Sequence, residues 1–304
     1  MTDQLRYERL AVEDLVVAPR SRPWRWVGRA AVVVVVLTLA TSFVTNPNYR
    51  WDVVATYLLD ARILAGLRTT LLLTAVGMVL AAALGLTLAT MRMSSSHLVS
   101  GTAGAYVWFF RGTPVLVQLI LWYNLAILVP QVRIGLPFGG PTLWEASTND
   151  LITPWTAAIL GLALNEAAYL AEIIRSGITS VDRGQSEAAQ ALGLGRVATF
   201  RRIVMPQALR VIVPPASNEA IGLLKYSSVV SVIALPELLY SGQLIYARTY
   251  ETIPVLIVVS IWYLVVVTAL TAVEHRLERR LGVGFRSGVD ARPGRWSRWL
   301  APQR

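Results

Sequence analysis

The stretch from Ile253 to Val273 reads IPVLIVVSIWYLVVVTALTAV and carries no charged residue. A helix needs about 20 mainly apolar residues to cross the hydrocarbon of a bilayer, and this run is that long. A second stretch, Ala30–Val44 (AAVVVVVLTLATSFV), is also free of charge. Across the chain 55% of residues are hydrophobic and only 15% charged, whereas soluble domains carry about 25%. The charges gather in blocks and leave apolar runs between them, the pattern of a chain whose main solvent is lipid. The expected fold class is all-α: a polytopic membrane helix bundle of about six transmembrane helices. The spans read as Val27–Val44, Thr69–Thr90, Ala105–Val129, Pro154–Ile174, Val211–Leu235 and Ile253–Val273.

The arginines orient these spans, because loops rich in Lys and Arg stay in the cytoplasm. The N-terminal segment holds Arg6, Arg9, Arg20, Arg22, Arg25 and Arg29. The loop after the fourth span holds Arg183, Arg196, Arg201, Arg202 and Arg210, and the C-terminal tail is Arg-rich from Arg276 to Arg304. An even number of spans puts all three on one side. The opposite loops have fewer arginines and carry Asp52, Asp60, Glu145, Asp150, Glu237 and Glu251. The expected location is therefore the cytoplasmic (inner) cell membrane, multi-pass, with both termini cytoplasmic. An Arg-rich flank before an apolar run also fits a cleaved signal peptide. The length of the run, the absence of an A-x-A site at its end, and Trp24, Trp26 and Trp51 at its borders favour a retained helix.

The same placement explains the net charge of +10. The basic residues flank apolar segments, so they report topology rather than nucleic-acid binding. The chain has no Cys, and its two histidines, His97 and His275, stand apart beside predicted spans. No metal site and no cofactor are expected. No phosphate-binding GxxxxGK[ST] loop, HExxH or nucleophile elbow occurs, so any ATP hydrolysis belongs to another chain and the protein is not expected to be an enzyme.

The loop between the fourth and fifth spans contains SEAAQALGLGRVATFRRIVMPQALR, Ser186–Arg210. Gln185–Leu192 is made of good helix formers with small alanines. Gly193-Leu194-Gly195 breaks that helix, and Val197–Val204 is expected to form a second one that stops near Pro206. The small side chains permit close docking by another protein; packing on the chain's own bundle is the plainer reading of residue types alone.

The ordered set Glu187-Ala188-Ala189, Gly193, Ile203 and Pro206 resembles the EAA loop of ABC importer permeases, with Met205 where Leu is usual. In that family the loop is a coupling helix that docks on the ATP-hydrolysing subunit. A second resemblance narrows the group. YVWFFRGTPVLVQLILWY (Tyr106–Tyr123), AAYLAEIIRSGI (Ala167–Ile178) and PASNEAIGLLKYSS (Pro215–Ser228) are similar to the polar amino acid permeases of the histidine/glutamine/glutamate/arginine group. The likeness covers residues 66–281 and implies a type I ABC importer-like permease domain there, with its coupling loop at 176–210. Outside it lie a cytoplasmic arm (1–26), an extra transmembrane helix (27–44) and a cytoplasmic basic tail (282–304), whose Trp296 and Trp299 suit contact with headgroups. The family often has Asp then Thr after the Lys of the fifth span; here these are Tyr226 and Ser227, so no role of that Asp transfers. The implied partners are an ABC ATPase subunit, an extracellular or periplasmic amino-acid-binding protein, a second permease copy or a sister permease, membrane lipid and an amino acid substrate, with no nucleic acid.

A charge at the bilayer centre costs about 2.5–3.5 kcal/mol on insertion scales, so polar residues inside spans need a reason. On the fourth span Asn165, Tyr169, Glu172 and Ser176 fall on one helical stripe; on the fifth, Asn218, Gly222, Lys225 and Ser228 do the same, with Glu219 beside them. Two such stripes offer the donors and acceptors a zwitterionic amino acid needs. The translocation pathway is accordingly expected to involve Asn165, Tyr169, Glu172, Asn218, Glu219, Lys225 and Ser228. A purely structural reading also stands: Glu172 paired with Arg175, and Lys225 with Glu219 or a neighbouring helix. Arg111-Gly112-Thr113-Pro114 is read as a scaffold feature near the cytoplasmic start of the third span. Two other functions fit a polytopic protein. An ion-coupled secondary transporter would usually show two related halves, which this sequence lacks, and a non-transporting scaffold has no use for the ordered set in the loop.

Overall fold

A computed structural model of the chain describes residues 23–135 and 142–282. Most of the segment read as an arm, up to residue 22, and the basic tail from residue 283, with Trp296 and Trp299, lie outside the described residues. The contacts divide the chain into two units, 1–51 and 52–304.

In the first unit, helix α1 (Pro23–Thr45) begins inside the segment read as the arm. Apolar side chains point out all round it, as a span facing lipid requires. At its end Phe43 packs against Tyr49 and Trp51, with ring centroids 4.7 and 4.9 Å away. Such a ring cluster suits the boundary between acyl chains and headgroups.

The second unit begins within α2 (Trp51–Leu58), which is followed by α3 (Ala61–Arg92). Then follow α4 (His97–Gly112), α5 (Val115–Tyr123) and the short α6 (Leu125–Leu128). The next loop forms an antiparallel hairpin of β1 (Gln131–Gly135) and β2 (Thr142–Ser147), a small departure from an otherwise helical chain, followed by α7 (Thr148–Leu151). Helix α8 (Pro154–Thr179) leads to α9 (Arg183–Ala191) and α10 (Arg196–Thr199). The chain continues through a π-turn (Phe200–Val204) into α11 (Met205–Tyr226) and a 3₁₀ turn (Ser227–Ile233). Helices α12 (Leu238–Thr249) and α13 (Thr252–Gly282) complete it. Among the described residues four helices are long and apolar enough to cross a membrane, and six if each of two bent pairs counts as one span.

Small residues set the centre of the bundle. On α3, Gly77, Ala81, Gly85 and Ala89 recur every four residues and are all buried; on α8, Ala163, Ala167 and Ala171 do the same. Lipid tails supply no hydrophobic drive between helices, so close backbone approach and dispersion hold them together. At Gly85 an added Cβ would stand 2.9 Å from Leu170 Cβ and 3.2 Å from the Ala167 carbonyl oxygen.

Two spans differ from their expected form. The third starts at His97, earlier than the expected Ala105, and bends by 101° between α4 and α5. Its first turns, HLVSGTAG, are too polar and glycine-rich to register as an apolar run. The fifth, expected from Val211, starts earlier, because the short helix expected over Val197–Val204 does not stop near Pro206 but runs on into it. Proline lacks an N–H and crowds the preceding turn; the π-turn just before Pro206 widens that turn, and the helix carries on. It then bends by 46° toward α12, through Ala234 in the left-handed region at φ 58°.

Glu237, read as a loop residue, is fully buried at this second bend. Its carboxylate caps α12, accepting from the Leu239 and Tyr240 N–H groups at 2.9 and 2.7 Å, and from the Tyr263 hydroxyl at 3.1 Å. Thr70 Oγ1 lies 3.4 Å from the same carboxylate. One side chain thus joins α3, α12 and α13.

Candidate functional site

The break in the third span begins with Pro114. Without a proline N–H, the Phe110 carbonyl loses its helical donor, and a buried orphan carbonyl is costly. Two side-chain amides replace it. Gln118 Nε2 donates to the Phe110 oxygen at 3.0 Å and to Thr113 Oγ1 at 2.6 Å. Asn165 Nδ2, from α8, donates to the same Phe110 oxygen at 2.8 Å and to Gln118 Oε1 at 3.2 Å. Thr113 is extended at φ −117° and ψ 143°, as a residue before proline prefers. Gln118 is not among the residues singled out from the sequence, although a Gln four residues after a proline in an apolar run has few other uses.

This propped break opens a cavity of about 630 Å³. Its walls bring together Arg111–Val115 from the break, Leu162, Asn165, Glu166 and Tyr169 from α8, and Glu219, Leu223 and Tyr226 from α11. Arg111 lies fourteen residues past His97, about 21 Å along the helix at 1.5 Å per residue. It is therefore deep in the span rather than near its start, and its guanidinium sits over the Tyr169 ring, 5.1 Å from the centroid. Glu166 is only 5% exposed, and its Oε1 has no hydrogen-bond partner among the described residues.

Of the residues expected on the pathway, Asn165, Tyr169 and Glu219 line this cavity. Glu172 lies elsewhere on α8, paired with Arg175 at 2.8 Å and with Arg92 of α3 at 3.5 Å. Asn218 and Lys225 are exposed on the single chain. Ser228 is half-buried in the 3₁₀ turn, its hydroxyl donating to the Lys225 carbonyl at 2.7 Å. Glu166, and Arg111, read from the sequence as part of a scaffold feature, are in the walls instead. A helical stripe identifies neighbours along one helix, not the neighbour across it.

The loop residues occupy the end of the bundle where α8 finishes. Asp182 caps α9, its Oδ1 accepting from the Gly184 N–H at 2.7 Å. The helix ends in a Schellman turn: Leu194 N donates to the Ala189 oxygen at 3.0 Å and Gly193 N to the Gln190 oxygen at 2.9 Å. Gly193 has φ +81°. Ala189 is buried against the chain, while Glu187, Ala188, Pro206 and the apolar Leu192 and Val197 are exposed, and Ile203 is half-buried. Underneath, Ile178 of α8 packs with Val204, Ala208 and Ile212, so the loop stands on the bundle.

The sequence and fold have known counterparts. Residues 81–283 match the family described as binding-protein-dependent transport system inner membrane component. The arginine transport system permease protein ArgU of Corynebacterium glutamicum is 39% identical over 275 residues, covering 90% of this chain and 85% of its own length. The nopaline transport system permease protein NocM of Agrobacterium fabrum is 39% identical over 228 residues, covering 75% and 91%. Among solved structures, the crystal structure of an amino acid ABC transporter with histidines matches with a TM-score of 0.61 and 35% identity, over 72% of this chain and 94% of that one. With the family match running through the cavity and the α9–α10 loop alike, the chain belongs to the inner membrane components of binding-protein-dependent transport systems, the permease subunits of ABC importers.

Proposed function

We propose that the cavity at the break of the third span holds a polar amino acid on its way across the membrane. An extracellular binding protein delivers it, and an ABC ATPase docked on α9 and α10 drives its passage. The observation that carries this reading is the cavity itself, a cation and two carboxylates grouped inside otherwise apolar spans. Polar groups at that depth are retained where they serve a pathway. The amino acids named for the relatives belong to the same chemical class. The exposed pathway residues Asn218 and Lys225 and the exposed lining residue Tyr226 suit a second permease, a copy or a sister, packed against α11.

Gly112 supplies the test. It lines the cavity, and an added Cβ there meets nothing within 4 Å. A Gly112→Trp chain is expected to insert normally and co-purify with its ATPase, yet to support little uptake of labelled amino acid in proteoliposomes, because the ring fills the cavity. Undiminished uptake would remove the cavity from the route.

The arginine asymmetry supports both termini on the cytoplasmic side. Reporter fusions at Pro47 are expected to read external and fusions at Gly195 internal; an external Gly195 would reverse the topology.

A further inference from the structure

The hairpin after α6 has two unlike faces. Its strands pair with Val132 opposite Ala146, Arg133 opposite Glu145 and Ile134 opposite Trp144. Side chains along a strand alternate between faces, so Val132, Ile134, Trp144 and Ala146 share one face, and Arg133 and Glu145 stand on the other. The charged face satisfies itself: Arg133 Nε lies 3.1 Å from a Glu145 carboxylate oxygen, and Arg133 Nη2 donates to Gln131 Oε1 at 2.6 Å. The apolar face has no such cover. Ile134 is 58% exposed, Trp144 44%, and Leu143, which the pairing skips between Trp144 and Thr142, 75%. The hairpin is held to the rest of the chain chiefly through α7, where the Thr148 N–H donates to the Pro130 oxygen at 3.0 Å. Helix α6 packs on the same α7, and its Ile127 and Leu128, at the end of the third span, are 77% and 72% exposed. Helix α8, 26 residues long, separates this end of the bundle from the α9–α10 loop by about 39 Å at 1.5 Å per residue.

We propose that this hairpin lies in the headgroup layer of the bilayer, its Ile134–Trp144 face toward the acyl chains and its Arg133–Glu145 face toward water. Apolar area left in water is costly in proportion to its size, and a chain that leaves the end of a span has lipid within reach. Lipid suits the face better than a binding protein, which comes and goes with each delivery and leaves the face in water between visits. The bilayer covers it throughout. Charge agrees: the ions of the hairpin pair with each other, and none stands on the apolar face to steer a protein partner. Trp is a side chain enriched where acyl chains meet headgroups. Amphipathic helices lying in that plane bury their apolar side about 5–10 Å deep, and an amphipathic hairpin meets the same two solvents. The seat has a use. Helix α5 is nine residues long, about 14 Å at 1.5 Å per residue, too short to cross the hydrocarbon. An anchored hairpin holds the far end of α5, and with it Gln118, which props the break at Pro114.

The chain has no native cysteine, so a single introduced thiol can carry a reporter. Ile134→Cys and, on the opposite face, Arg133→Cys permeases are labelled with an environment-sensitive dye, each in complex with a cysteine-free form of its ATPase. They are reconstituted in phosphatidylcholine vesicles with or without brominated acyl chains. The Arg133–Glu145 pair is exposed, and losing such a pair costs little, so the hairpin survives that substitution. With no binding protein present, brominated lipid is expected to quench the Ile134 dye several-fold more than the Arg133 dye, and aqueous iodide to do the reverse. Trp144→Asp, at an exposed position opposite Ile134, is expected to leave the amount of permease unchanged and to remove most of the lipid quenching at Ile134. Equal lipid quenching of the two dyes, or quenching at Ile134 untouched by Trp144→Asp, overturns the assignment of faces. An Ile134 dye that brominated lipid does not quench overturns the lipid seat. Iodide reaching that dye until a binding protein is added then gives the face to the binding protein, and iodide never reaching it gives the face to a second permease.

Discussion

A Gly193→Val permease is expected to insert into the membrane at normal levels and to lose ATP-driven uptake, while Gly195→Ala transports normally. The two glycines stand on either side of Leu194 and look alike as helix breakers, but their backbones differ. Gly193 has φ +81°, in the region where a β-branched side chain is a steric outlier. Gly195 caps α10 at φ −66° and ψ 159°, which any residue adopts. Neither is crowded, since a Cβ at either position meets nothing within 4 Å. The effect at Gly193 is therefore purely conformational, about 1–2 kcal/mol for a side chain forced into the left-handed region. The chain relieves that strain by opening the Schellman turn, which sets the angle between α9 and α10. The membrane spans do not depend on that turn, so insertion survives. Adding Glu187→Ala, which removes an exposed carboxylate from the surface of α9, is expected to deepen the defect. Fluorescence size-exclusion measures insertion, affinity co-purification measures ATPase binding, and labelled uptake in vesicles measures coupling. Wild-type co-purification and uptake in Gly193→Val would show that α9 and α10 do not couple the two subunits.

The second large effect concerns assembly. Gly85→Leu is expected to remove most of the folded permease from the membrane, and even Gly85→Ala to lower its thermal stability. Helix propensity predicts the opposite, because Ala is better than Gly in a helix by about 1 kcal/mol. Here the new Cβ would lie 2.9 Å from Leu170 Cβ and 3.2 Å from the backbone nitrogen of Ala171. A side chain can turn away, but the α8 backbone moves only as a helix, and overpacking of this kind typically costs about 1–3 kcal/mol. Gly101, in α4, has open space at its Cβ, so Gly101→Ala is the matched control and is expected to be neutral or stabilising. Melting of the detergent-solubilised protein, followed by size-exclusion, separates the two. Equal melting temperatures would mean that the close contact of α3 and α8 contributes nothing.

Much of this architecture is legible in the residues. The charge-free run Ile253–Val273 lies within α13, and the helix expected at Gln185–Leu192 is found at Arg183–Ala191. The pairing of Glu172 with Arg175, one of two readings of that residue, follows from spacing alone and is present at 2.8 Å. Arg92 as its second partner could not be read the same way, being eighty residues distant along the chain.

The length and apolarity of its runs and the Glu187–Pro206 spacing determined from sequence alone that this is a polytopic helical permease with a helical loop between its fourth and fifth spans. Those signals are local, since hydropathy and helix periodicity act within one segment. The tertiary structure alone decided that α4 begins at His97, that Gln118 and Asn165 hold open the break at Pro114, that Glu237 is an interior cap, and that Arg111, Glu166 and Glu219 share one cavity while Asn218 and Lys225 stay outside it. The reason is geometric. A helix of about 3.6 residues per turn aims adjacent side chains such as Asn218 and Glu219 in different directions, and only the packing of α4, α8 and α11 settles which neighbour each one meets.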